Sequence, residues 1–191
     1  MYLYLCEGEN IRGKAGEKLV KQALAMYIEE EGRTAPERMP EILRTENGKP
    51  YFAGEGWPHF SVSHCGQLWV CLMAEFPVGV DIQEATNADT KSIAERYFSQ
   101  NEKVYADIYD KDGFYRLWTY KEAYTKLRGE SIFENLSKTS LVDDDSLVKS
   151  LKDDMYGEVY FKDIEIGAGI TLSACAAKDE DIWLRLTEQV I

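Results

Sequence analysis

Histidine and cysteine are scarce in this chain. Two histidines, His59 and His64, and four cysteines, Cys6, Cys65, Cys71 and Cys175, include no C-x-x-C spacing. Neither a structural zinc site nor a disulfide framework is expected from that set. Positive charge is also in short supply: 22 Lys and Arg against 34 Asp and Glu give a formal net charge of -12. Non-specific binding to nucleic acid or to anionic lipid needs a basic surface, so neither is expected, although a local basic pocket is compatible with the balance. No apolar run is long enough to span a bilayer, and the opening MYLYLCEGEN lacks the basic start and apolar core of a signal peptide. Low-complexity segments, flexible linkers and fixed-period repeats are missing as well. The expectation is a reduced, cytoplasmic protein.

What is present is a chain of 191 residues, long enough to bury a real core as one domain or as two small halves packed together. Alternating apolar residues predict strands at Tyr2–Cys6, Ile42–Thr45, His59–His64, Leu68–Ala74 and Val78–Gln83. Asn47-Gly48 predicts a hairpin in ENGKPYF. Helical spacing predicts helices over Ala15–Glu31, Thr90–Tyr97, Gln100–Ile108 and Gly113–Leu127. Three more strands are expected at Glu158–Ile164, Gly169–Ala176 and Asp181–Thr187, with the acidic VDDDSLVKSLKDD (142–154) as an exposed loop or excursion. Helices and strands are grouped rather than alternating, so the fold class is α+β, with a boundary near Phe76-Pro77 separating residues 1–76 from 77–191.

Each candidate site has a plain structural reading beside the chemical one. In VGVDIQ, Val78, Val80 and Ile82 share one strand face; Gly79, Asp81 and Gln83 share the other, as a half-solvated sheet or a metal site would require. In the helix at 113–127, Phe114, Leu117, Tyr120, Tyr124 and Leu127 form an apolar stripe, with Glu122 and Lys126 one turn apart on the opposite side. A solvent-facing Glu–Lys pair of this kind contributes only about 0.2–0.5 kcal/mol. The alternative makes Glu122 a metal ligand or general base and Lys126 a phosphate contact. Lys121 falls near the apolar stripe, where a lysine needs an anion or a route to water. Cys65 and His64 cannot form a nucleophile pair, because adjacent strand residues point apart. Ser63 and His64 end a strand and could hold phosphate oxygens or merely satisfy a turn. Lys49 follows the Asn47-Gly48 turn, where lysines are usually solvated. Asp145-Ser146-Leu147 matches the modified-serine string of acyl carrier proteins, but its surroundings do not read as a small helical bundle.

In order along the chain stand GKP (48–50), FSVSH (60–64), VGVDIQ (78–83), RYFSQNE (96–102) and LWTYKEAYTK (117–126). This ordered set resembles the 4′-phosphopantetheinyl transferases of the Sfp type, which carry G-K-P, F-x-x-S-H, G-[IV]-D-[IVL]-E, R-[FY]-F-S-x-x-E and W-[ST]-x-K-E-[AS]-x-x-K at similar intervals. The resemblance implies two similar α+β halves in a pseudo-twofold arrangement, with coenzyme A and magnesium in the cleft between them. It implies transfer of phosphopantetheine from coenzyme A to a serine hydroxyl of an apo acyl or peptidyl carrier protein, leaving 3′,5′-ADP, by a monomer. Asp81 then matches the metal-binding aspartate and Glu122 the glutamate that completes the metal shell or accepts the serine proton. Lys126 matches the lysine on the diphosphate. Lys49, Ser63 and His64 match positions that hold coenzyme A, the last two near its ribose 3′-phosphate. Lys121 matches a further motif lysine in the coenzyme-binding set, with its contact unassigned.

The resemblance has departures. Gln83 stands where many Sfp-type members have glutamate, so the third metal position brings an amide oxygen and no charge. The amino-terminal third is short, and only Arg12 and Lys14 are candidates for the basic residues that hold the nucleotide there. A relative that binds coenzyme A or a carrier without catalysis, and a magnesium-dependent phosphohydrolase, are the competing readings. Carrier proteins are usually acidic, so recognition by this acidic chain would rest on an apolar patch with local basic residues such as Arg96, Arg116 or Arg128.

Overall fold

The computed structural model describes residues 1–9, 11–86, 88–131 and 138–187. Strand β1 (Tyr2–Glu7) pairs antiparallel with β5 (Leu68–Ala74), which pairs antiparallel with β4 (His59–Cys65) across the tight connection at Gly66. A strand from the far end of the chain, β12 (Trp183–Leu186), returns to lie parallel to β1 and completes the order β12-β1-β5-β4. Helix α1 (Gly13–Glu30) buries Leu19, Val20, Ala23, Leu24, Tyr27 and Ile28, the spacing of a single apolar face. That face packs on Tyr4, Cys6, Trp69, Cys71 and Met73 of the first sheet.

The second sheet has the order β6-β11-β10-β9, formed by Val78–Glu84, Ile170–Ala176, Gly157–Asp163 and Ser150–Asp153. Its inner face supplies Val78, Val80, Ile82, Leu172 and Ala174, which pack against Leu3, Val70 and Leu72 of the first sheet. Its outer face is covered by α3 (Gln100–Arg128), whose Leu117, Tyr120, Ala123 and Leu127 cluster with Val159, Phe161 and Cys175. The result is an α+β fold with two sheets back to back and a helix outside each.

Two junctions position the site. The first is where edge strands β4 and β6 meet without a backbone ladder. Ser61 Oγ accepts the Val80 N–H at 3.1 Å, so a serine side chain satisfies a buried amide that a strand would otherwise pair. The second is Gly79, where α3 crosses β6 in direct backbone contact. A Cβ there would lie 1.9 Å from the Ala123 carbonyl oxygen and 2.5 Å from the Leu127 nitrogen. The space left by the glycine in VGVDIQ is therefore filled by the helix. Gly79→Ala is expected to lower stability by about 3 kcal/mol, because neither backbone can yield locally. A melting temperature within a degree or two of wild type would show that the helix does not press on this position.

The two helices expected over 100–127 form one element, α3, broken at Asp110, which takes φ 52 and ψ -140. Gly113 follows the break because a Cβ there would meet Tyr109 Cβ at 2.6 Å. Ahead of it, α2 (Thr90–Tyr97) is capped by Asp89, and α3 opens with a capping box between Ser99 and Glu102. The hairpin at Asn47-Gly48 forms as expected between β2 (Ile42–Arg44) and β3 (Pro50–Phe52).

The acidic stretch 142–154 is not a loop. β7 (Val142–Asp143) and β8 (Ser146–Leu147) form a small hairpin turned by Asp144 and Asp145 at φ 44 and 59, and β9 then joins the second sheet. The Asp145-Ser146-Leu147 string lies in that hairpin. The acids are tolerated because Asp153, though buried, accepts bonds from Tyr124 Oη at 2.7 Å and Arg128 Nη1 at 2.6 Å. Among the described residues, no helix is long and apolar enough to cross a membrane.

Candidate active site

A cavity of about 310 Å³ opens where β4, β6 and α3 converge, lined by Ser63, His64, Asp81, Gln83, Glu122 and Lys126. The sheet-edge junction brings Ser63 and Asp81 together, and the close crossing at Gly79 sets Glu122 and Lys126 opposite them. Asp81, 1 % exposed, is the hub. Its Oδ1 accepts bonds from Ser63 Oγ at 2.7 Å and Lys126 Nζ at 2.6 Å, and its Oδ2 accepts one from Gln83 Nε2 at 3.0 Å. Lys126 Nζ also donates to Ser63 Oγ at 2.9 Å. Lys126 thus pairs with the strand, not with Glu122, and the solvent-facing Glu–Lys reading fails. His64 stands exposed at the rim, opposite Trp69 in the β4–β5 ladder.

Glu122 is 7 % exposed and makes no hydrogen bond among the described residues. Burial, together with the nearby charge of Asp81, pushes its carboxyl up to about 7, against a smaller opposing pull from Lys126. A carboxylate held this way in a cavity is poised to take up a proton or a hard cation. The oxygen donors in reach are those of Asp81, Glu122 and the Gln83 amide, a set that suits magnesium better than a soft metal. Among the described residues no group of three or more His, Cys, Asp or Glu is placed to hold a metal.

Two of the expected residues lie elsewhere. Lys121, 3 % exposed, pairs with fully buried Glu102 at 2.7 Å and donates to the Thr139 carbonyl at 3.0 Å. Glu102 also caps Ser99 N at 2.8 Å and holds Leu141 N at 2.9 Å. The serine and glutamate of RYFSQNE and the lysine of the K-E pair are therefore one buried scaffold, away from the cavity lining. Lys49 lines a neighbouring groove of about 510 Å³ with Arg44, Ser61 and Thr125, which shares Val62 and Lys126 with the cavity. Of the arginines considered for carrier recognition, Arg116 is paired with Asp163 at 2.6 Å, and Arg128 with Glu130, Asp153 and Asp154. Arg96 lies over the Tyr97 ring. Val62 and Trp69 complete the cavity wall. Apolar strand residues carry no chemical signature, so no sequence signal singled them out.

The site is thus a buried aspartate bonded to a half-buried lysine, with a second carboxylate on the same helix as the lysine, where two sheets meet. The profile of the 4′-phosphopantetheinyl transferase superfamily matches residues 77–175, which contain Asp81, Gln83, Glu122 and Lys126. The 4′-phosphopantetheinyl transferase Sfp of Bacillus subtilis (strain 168) is 32% identical over 156 residues, covering 76% of this chain and 68% of that protein. The transferase psf-1 of Bacillus pumilus is 40% identical over 103 residues, 50% of this chain and 43% of that protein. AcpT of Escherichia coli (strain K12) is 37% identical over 108 residues, 53% of this chain and 55% of its own length. Against the last two, the match spans about half of each relative. The chain belongs to the 4′-phosphopantetheinyl transferase superfamily.

Proposed function

We propose that the protein transfers the 4′-phosphopantetheine group of coenzyme A to a serine hydroxyl of an apo acyl or peptidyl carrier protein, with magnesium, releasing 3′,5′-ADP. The observation that carries this reading is the convergence of Asp81, Glu122 and Lys126 on one cavity, inside the region that matches the superfamily. In the reaction the serine oxygen forms a bond to the phosphorus bearing the pantetheine arm, the bond to the bridging oxygen of the diphosphate breaks, and 3′,5′-ADP leaves. Asp81, Glu122 and the Gln83 amide oxygen would hold Mg2+. Bound there, the cation supplies charge neutralisation for the diphosphate. Lys126, anchored on Asp81 and Ser63, offers its ammonium to the same oxygens. Glu122 accepts the serine proton, a role open to a buried carboxylate whose side chain has no competing hydrogen bond among the described residues. Ser63 and His64 hold the coenzyme at the rim. Ser63 and His64, from residues 1–76, line the cavity with Asp81, Glu122 and Lys126, from 77–191, which supports a site supplied by one chain and so a monomer.

The test is to incubate the protein with coenzyme A, Mg2+ and several apo carrier proteins and to weigh each carrier. A gain of one phosphopantetheine is expected. No gain on any carrier, with coenzyme A still bound, would leave a binding protein, and phosphate release without a carrier would mean a hydrolase.

Gln83 gives a finer prediction. Its Nε2 donates to Asp81, so Gln83→Glu sets two carboxylates face to face when no cation is present. Expected are a lower melting temperature in EDTA and a several-fold lower Mg2+ concentration at half-maximal rate, roughly what one added charge does for a magnesium site. An unchanged or higher Mg2+ requirement would remove Gln83 from the cation's surroundings.

A further inference from the structure

Thr119 belongs to the LWTYKEAYTK motif but not to the cavity lining, and it is wholly buried. Its Oγ1 lies 2.7 Å from Ser173 Oγ of β11, which is wholly buried too. Thr119 Oγ1 also donates to the Arg116 carbonyl at 3.0 Å. A hydroxyl has one proton, so with that proton on Arg116 the Ser173 hydroxyl donates to Thr119. The bond therefore runs in one direction, from sheet to helix.

Ser173 stands directly opposite Asp81 in the β6–β11 ladder, so both side chains leave the sheet on the face that α3 covers. Thr119, Glu122 and Lys126 follow at spacings of three and four residues and share one side of the helix. The hydroxyl pair thus ties that side of α3 to the strand beside Asp81. Other side-chain bonds of α3 end further away: Arg116 on Asp163 of β10, Tyr124 and Arg128 on Asp153 of β9, and Tyr115 on Thr86. The close crossing at Gly79 sets how near α3 lies to β6, whereas a directional bond also sets its rotation. A rotation of about 10° moves a side-chain end by about 1 Å at the roughly 5–6 Å outer radius of a helix. Misplacement by about 1 Å can cost a reaction about a hundredfold.

We infer that the Thr119–Ser173 bond is a positioning link, which sets the rotation of α3 over the second sheet and so holds Glu122 and Lys126 against Asp81. Stability alone does not call for two hydroxyls here, since replacing both by apolar groups of the same shape can be nearly neutral. This inference rests on the transfer proposed above for its kinetic arm but not for its chemical one.

Ser173→Ala is the informative variant, because the Thr119 proton keeps its place on Arg116 and no buried donor is stranded. It should melt within about 2–4 °C of wild type, the shift of one modest hydrogen bond in a chain of this size. The chemical arm uses the protein without coenzyme or carrier. Acetylation of Lys126 by acetic anhydride, read by peptide mass, should be roughly threefold faster in Ser173→Ala, as the ammonium leaves Asp81. Thr119→Ser keeps the bond and should match wild type. Unchanged reactivity of Lys126 in Ser173→Ala overturns the inference whether or not the protein transfers anything. The kinetic arm reads carrier loading. There kcat should fall about tenfold with the KM for coenzyme A within about twofold, the flanking bonds of α3 limiting the loss. Thr119→Val/Ser173→Ala should be no slower than Ser173→Ala, because both changes break one bond. Additive losses, or wild-type kcat in the folded Ser173→Ala variant, would make the pair plain core packing. Failure of wild type to load any carrier defeats the proposed function alone.

Discussion

Asp81→Asn is expected to cut carrier loading by about a thousandfold or more, with the fold unchanged. The carboxylate accepts from Ser63, Lys126 and Gln83 at once, and asparagine keeps its shape but not its charge. The new amide nitrogen must face one of the three donors, and Lys126 loses its counter-charge whichever way the amide turns. One of the two anionic groups available to a cation disappears in the same step. Stability should fall modestly, because the lost Lys126 pairing and a donor left facing a donor outweigh the relief of Glu122, whose carboxyl is raised mainly by burial and only secondarily by Asp81. Carrier mass after prolonged incubation, read beside a thermal melt, measures both. Loading above a tenth of the wild-type rate in a folded variant would mean that Asp81 is not the hub of the reaction.

Much of this site was legible before any coordinates, and the illegible parts share a cause. Strand alternation placed Asp81 and Gln83 on one face, and helical spacing placed Glu122 and Lys126 one turn apart. Periodicity does not say which face meets which, and α3 is buried nearly all round from Phe114 to Leu127, so its polar residues had no water to mark their direction. Gly79 made that choice, by admitting the helix backbone onto β6. Lys121 and Lys126 carry the same charge in the same motif, and only partners distant in sequence, Glu102 for one and Asp81 for the other, separate scaffold from site. In the acidic stretch 142–154 charge density marked solvent correctly for Asp143, Asp144, Asp145 and Asp154, but it hid the strands β7, β8 and β9 and the buried Asp153, which Tyr124 and Arg128 hold. The return of β12 to β1 is a pairing across nearly the whole chain, beyond the reach of any local pattern.

Glu122→Gln is expected to separate activity from stability. Transfer should fall about a hundredfold to ten-thousandfold, the usual loss when a general base is neutralised. The same variant should be more stable than the cation-free wild type at pH 8. The folded-state carboxyl is raised to about 7 from an ordinary value of 4.5, so the unfolded chain ionises first as pH rises. Stability is therefore complete below about 4.5 and is lost progressively until pH passes about 7, by about 3 kcal/mol in all. Glutamine does not titrate, so in EDTA the variant should melt roughly 6–12 °C above wild type at pH 8 and level with it near pH 4.5. Mg2+ should restore much of the wild type's deficit, since a cation bound by Asp81 and Glu122 stabilises only the folded chain. Its binding must also weaken about tenfold for each pH unit below 7 in wild type, as the carboxylate becomes protonated, and lose that dependence in Glu122→Gln. Coincident melting curves at pH 8, with and without Mg2+, would show that Glu122 neither titrates near neutrality nor meets the cation.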